Sequence, residues 1–249
     1  MARHQQRPLT IAAFLLLVLL VPLNGQGVGA EETVHRTVLR FYPYGTGEYE
    51  NILVRQPGPP ERVETLQLAP GRRSPALHYS GPEKLILWRP GEGTEKGHKQ
   101  FHPLGTVALP RARETLIFLI ANPLAAHPGE PEFHLFAMDD GHRAVPENHL
   151  AFFNLTGAQL TGWVGDQMLQ LESGLSQAID VRPFFNAQDV LVALTVLHGG
   201  EERIVLENRI RFIGNRRSLI VLLPPVVPGS VEIRAFRIDD RVPSAAVEQ

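Results

Sequence analysis

The amino-acid sequence predicts an all-β protein: two tandem β-sandwich domains of immunoglobulin-like or transthyretin-like character, arising from an internal duplication and preceded by a signal peptide. Three observations carry this expectation. A phrase in the middle of the chain returns near its end, period-two alternation broken by proline and glycine marks short strands, and a short apolar run follows two arginines at the start.

The start comes first. Arg3 and Arg7 precede an apolar run of 13 residues, Ile11 to Leu23, after which Val28 and Ala30 stand at the spacing a signal peptidase reads. A membrane span wants about 18 apolar residues or more, so residues 1–30 read as a cleaved leader with no stable transmembrane segment remaining. Setting those 30 residues aside from 249 leaves 219, enough to bury a core without disulfides. The chain has no cysteine, which excludes thiol catalysis, thiolate metal sites and an acylated lipoprotein cysteine.

Without Arg3 and Arg7 the 24 basic residues become 22 against 26 acidic ones, a formal charge of −4. That balance points away from nucleic acid and from an anionic membrane surface as partners. Lysine occurs only at Lys84, Lys96 and Lys99, an arginine bias that suits a GC-rich bacterial genome. Together with the leader, this predicts a bacterial periplasmic or secreted protein.

The repeat sets the domain organisation. Aligning Asp139 and Asp140 with Asp239 and Asp240 makes "PGEPEFHLFAMDD" and "PGSVEIRAFRIDD" agree at six of 13 positions. Upstream, "LIFL" from Leu116 matches "LIVL" from Leu219, "LQLAPG" from Leu66 matches "LQLESG" from Leu169, and "VLRFY" from Val38 matches "HLAFF" from His149. Four matches in the same order argue for duplicated units of about 100 residues, a usual domain length. The boundaries follow as 31–143 and 144–249, joined near Asp139 to Asn148, and each unit is long enough to fold alone.

Within each unit the pattern is that of strands. Val231, Ile233 and Ala235 alternate with Glu232 and Arg234, after which Phe236 and Ile238 take the opposite register. The first copy slips at the same place, from Phe133 and Leu135 to Phe136 and Met138. A shared slip predicts a bulge or a strand passing between sheets, the other explanation being a strand buried on both faces. No window shows a helical stripe with a capping signal.

Motifs for enzymatic chemistry are absent: there is no G-x-S-x-G, no phosphate-binding G-x-x-x-x-G-K-[ST] and no H-E-x-x-H. His98 and His102 are four apart, with His127, His134 or His142 available as a third ligand, but no metal or other cofactor is predicted. The repeated "DD" reads as the polar exit of a last strand, its carboxylates capping the turn. "NLT" at Asn154 to Thr156 matches a glycosylation sequon, which in a bacterial protein reads as accidental.

Differences between the copies suggest where binding would lie. Tyr42, Tyr44 and Tyr49 flank the turn "PYGTGEYEN" in the first unit, and rigid rings beside glycine suit a contact surface. The first unit also has the longer loop Arg89 to Pro103, carrying Lys96, His98, Lys99 and His102. The second unit reads as scaffold, with Arg209, Arg211, Arg216 and Arg217 guarding an edge strand. The predicted function is therefore a non-enzymatic protein-interaction or structural module of the bacterial envelope, with a protein partner. The alternatives are a carbohydrate or small-ligand binder using the first unit's loops, and a metal-assisted hydrolase around His98 and His102.

Overall fold

The computed structural model describes residues 34–241 apart from 96, 97, 188 and 228, and the side chains at 92–99 are also outside the description. The leader expected at 1–30 lies beyond these residues. Among the described residues no helix is long and apolar enough to cross a membrane, and the one helical turn is a 3-10 turn at Arg182–Phe184. All other regular structure is β.

In the first half the strands are β1 (His35–Tyr44), β2 (Leu53–Gln56), β3 (Arg62–Thr65), β4 (Leu77–Gly81), β5 (Lys84–Glu95), β6 (His98–Ala108), β7 (Glu114–Ala121) and β8 (Phe133–Asp139). The second half contributes β9 (His149–Asn154), β10 (Leu160–Val164), β11 (Gln167–Leu171), β12 (Gly174–Leu175), β13 (Ile179–Asp180), β14 (Val190–His198), β15 (Glu201–Ile210), β16 (Arg216–Leu223) and β17 (Arg234–Arg241). They form four sheets, ordered β3-β2-β5-β6, β4-β1-β7-β8, β12-β9-β16-β17 (with β13 also on β9) and β11-β10-β14-β15. The two halves share one strand order, and in each the first strand runs parallel to the next-to-last, β1 with β7 and β9 with β16. A local detail repeats as well. Ser74 Oγ accepts from the Phe41 N–H at 2.9 Å and donates to the Pro75 carbonyl at 2.8 Å, while Ser176 Oγ accepts from Phe152 and donates to Gln177 at the same distances.

Burial explains why the strands read as they do. Strand β7 carries "LIFLI" because it is covered on both faces: Ile117 and Leu119 enter the core of the first half, whereas Leu116, Phe118 and Ile120 face the other way. Strand β16 behaves alike, with Ile220 and Leu222 in the core of the second half and Leu219, Val221 and Leu223 on its opposite side. These opposite sides meet. A third core joins Tyr42, Leu116, Phe118 and Met138 of the first half to Ala151, Phe153, Val221 and Ile238 of the second. The arrangement is sandwich-like, with the two inner sheets sharing a core between them.

The shared phase slip now has a cause. Strand β8 pairs with β7 in unbroken register from Thr115/Asp139 to Ala121/Phe133, so there is no bulge and no change of sheet. Phe133 and Leu135 point into the first core, and Met138, with Phe136, belongs to the third. In the second half Val231 and Ile233 pack on the second core, whereas Phe236 and Ile238 belong to the third. Each segment serves two cores in turn, and its apolar phase changes where one ends and the next begins.

The long loop expected at Arg89 to Pro103 is corrected. This segment is the distal arm of the β5–β6 hairpin, with register irregularities at Leu87/Trp88 and at Pro90/Thr94. Proline and glycine there mark irregular pairing within a continuing hairpin, which is one of the positions strands tolerate for them.

Candidate functional site

The tyrosines expected at a binding turn are packing residues. Tyr42 is buried in the third core, its ring 5.6 Å from that of Phe236, and Tyr44 stacks on the same ring at 4.0 Å. Tyr49 is buried in the first core, stacked 5.4 Å from Phe133, and its hydroxyl donates to the Tyr44 carbonyl at 2.9 Å. Gly47 makes room for it, since a Cβ there would stand 3.1 Å from the Tyr49 ring.

Burial raises the pKa of both Tyr42 and Tyr49 above the ordinary 10.0; at Tyr42 the Arg73 charge opposes the shift and Asp240 adds to it. A raised folded-state pKa means that the fold favours the neutral phenol. The resulting stability is intact below about pH 10, the unfolded value, and is lost as pH rises through the folded value. Urea melts at increasing alkalinity are expected to show a falling midpoint above that pH, and Tyr49→Phe is expected to reduce the slope. A slope unchanged in Tyr49→Phe would remove Tyr49 from this account.

His102 is exposed and pairs with Arg89, its Nε2 2.6 Å from the place a Cβ on Gly91 would occupy. His98 pairs with Glu95, and Lys99 with Thr94, across the hairpin. The side chains of His98 and Lys99, and Lys96 altogether, lie outside the described residues. Among the described residues no three His, Asp or Glu side chains converge as metal ligands. Asn154 of the sequon is buried, its Nδ2 donating to the carbonyls of Ala158 at 2.8 Å and Glu172 at 3.2 Å, so it is engaged in shaping the turn.

The repeated "DD" has a second role that sequence reasoning missed. Asp139 does cap its turn, accepting from the Gly141 N–H at 2.8 Å. Asp140 instead meets two arginines at the junction of the halves: Arg73 Nη1 at 2.5 Å and Arg217 Nη2 at 3.2 Å. Its counterpart Asp240 meets the same pair, Arg73 Nη2 at 2.6 Å and Arg217 Nε at 3.4 Å. Arg217, expected to guard an edge, is thus an internal partner. This four-membered ring links residues of the two halves.

The surface that stands open is the outer face of the fourth sheet. Cross-strand pairing places Met168, Trp163, Ala193 and Glu207 in one row, with Gln170, Thr161, Thr195 and Ile204 in the next. The Thr161 and Thr195 hydroxyls are 2.9 Å apart, which fixes both on this face. Leu197 follows two residues after Thr195. Trp163 is 42 % exposed, Met168 79 %, Leu197 71 % and Ile204 63 %, whereas Val63 is the one exposed large apolar side chain among the described residues of the other outer sheet. Gly162 lets β10 approach β14 closely: a Cβ would stand 2.0 Å from the Ala193 carbonyl oxygen. On the outer sheet of the first half, Arg55 covers the comparable rings, its guanidinium 5.4 Å from the Trp88 centroid and 4.7 Å from that of Phe101. Glu61 holds that guanidinium at 2.8 Å. No protein-family model matches the chain, and no curated protein matches its sequence. The site therefore rests on its own geometry. Large apolar side chains gathered in solvent on one sheet face suit a contact surface, and tryptophan is prominent among residues that dominate such contacts.

Proposed function

We propose that the chain is an exported, non-enzymatic protein-interaction module of the bacterial envelope, built from two tandem β-sandwich domains that arose by duplication. Support for duplication is the common strand order of the halves, together with the paired serine contacts and the recurrent sequence phrases. Support for export is the charged and apolar character of residues 1–30. The observation that carries the interaction reading is the exposure of Trp163, Met168, Leu197 and Ile204 on the outer face of one sheet. Its occupant is a different envelope protein with an apolar contact surface, bound through the second half.

A photo-crosslinking residue in place of Met168, introduced in the native host, is expected to trap one protein partner. The same residue in place of Val63, on the outer sheet of the first half, is expected to trap none. Trp163→Ala is expected to weaken the trapped complex by about tenfold or more, the effect of losing a central aromatic contact, with an unchanged melting temperature. Crosslinks solely between copies of the chain, or equal trapping from both positions, would remove the reading.

A further inference from the structure

The opposite charge character appears on the first half, in a trough of about 420 Å³ lined by Arg36, Arg62, Arg113, His78 and the polar side chains of Thr37 and Gln56. It lies where the edge of the β4-β1 pair meets β2 and β3. No aspartate or glutamate lines it. The arginines that could have been neutralised within the fold are paired elsewhere: Arg40 with Glu114 at 2.8 Å and Arg55 with Glu61 at 2.8 Å. The guanidiniums of Arg36, Arg62 and Arg113 have no ion-pair or hydrogen-bond partner among the described residues, and all three residues are exposed. The neighbouring trough, which shares Arg113 and adds Arg111 and Arg143, also contains Glu114 and Asp139 and is electrostatically mixed.

Several polar groups of the first trough are already oriented. Gln56 Nε2 donates to the His78 carbonyl at 3.2 Å, and its Oε1 accepts from the Ser80 N–H at 3.0 Å. Thr37 Oγ1 is 3.1 Å from that of Thr115. These contacts fix the floor and leave the guanidiniums as the free donors. Three like charges around one depression repel each other unless an anion lies between them. A guanidinium presents a fork of donors that matches the oxygens of a phosphate. A single carboxylate would leave most of this charge unmatched, whereas a phosphate monoester carries about −1.5 to −2 at neutral pH.

We infer that this trough binds a phosphate group carrying close to two negative charges, held by Arg36, Arg62 and Arg113. The group is either free inorganic phosphate or the phosphate of a phosphorylated sugar, and the test separates these sources.

Calorimetric titration of the full mature chain with inorganic phosphate, glucose 6-phosphate and glucose, at matched ionic strength, is the experiment. Saturable binding of both phosphate compounds and none of glucose is expected. Equal affinities would assign recognition to the phosphate alone, and tighter binding of glucose 6-phosphate would extend it to the sugar. The double variant Arg36→Gln/Arg113→Gln is expected to lose about tenfold or more in affinity while melting as the wild type does. Arg234→Gln, an exposed arginine on β17 remote in sequence, is expected to leave affinity unchanged. Failure of both phosphates to saturate, or equal weakening by Arg234→Gln, overturns the proposal. If the double variant melts early, Arg62→Gln alone provides the reading: an affinity equal to that of the wild type would likewise overturn it.

Discussion

Asp140→Ala is expected to lower the unfolding free energy by about 3–5 kcal/mol, the cost of breaking a buried ion pair by removing one partner. The Asp140 side chain is 1 % exposed, and those of Arg73 and Arg217 are 16 % and 12 % exposed. Removing the carboxylate leaves two largely buried guanidiniums with Asp240 alone to share. Arg217 retains one bond that does not depend on the carboxylate, from its Nη1 to the Asp140 backbone carbonyl at 2.6 Å. The effect is read from urea midpoints at constant m-value. The double variant Asp140→Ala/Arg217→Met is expected to be less destabilised than Asp140→Ala, because it also removes an uncompensated charge. Asp180→Ala provides the contrast. Arg182 holds the Asp180 carboxyl at a pKa of about 2 chiefly through a side-chain hydrogen bond, yet this pair is solvent-exposed and its loss is expected to leave the midpoint in place. Equal effects at Asp140 and Asp180 would show that the four-membered ring contributes nothing special.

The sequence announced the strands and the recurrence, because alternation and repeated phrases are local properties. It also contained the signature of the shared core, in the slip from Leu135 to Phe136 and from Ala235 to Phe236. That signature is ambiguous by itself: a bulge and a strand serving two cores both invert the apolar phase, and only register distinguishes them. The tyrosines were harder. A ring beside glycine has the same composition in a binding loop as in a turn that folds Tyr44 onto Phe236. Asp140 was legible as a repeated residue but not as an ion-pair partner, since Arg73 and Arg217 lie 67 and 77 residues away. Nothing in the sequence around Trp163 tells which face of its sheet remains uncovered. That depends on whether another layer packs there, as the inner sheets do on each other, or whether a side chain such as Arg55 folds over the rings.

Cutting the chain between residues 143 and 144 is expected to yield two fragments that do not remain independent monomers. The repeat length suggested autonomous domains, but the third core draws on both halves and predicts otherwise. Separation would uncover Leu116, Phe118, Ile120 and Met138 on one fragment, and Ala151, Phe153, Leu219, Val221 and Leu223 on the other. Exposing each fully buried large apolar side chain costs about 1.5–3 kcal/mol, so several together rival the entire stability of a typical domain, about 5–15 kcal/mol. Splitting would also part Arg73 and Asp140 from Arg217 and Asp240. Each fragment alone is expected to bind a hydrophobic dye and to self-associate in sedimentation. Co-expressed fragments are expected to assemble as a one-to-one complex with a single cooperative melt, and Phe118→Asp is expected to prevent that assembly. Two monomeric fragments, each melting cooperatively and indifferent to the other, would show that the inner sheets can face solvent. The fold would then be two separable units in contact, and the shared core would lose its place in the stability argument.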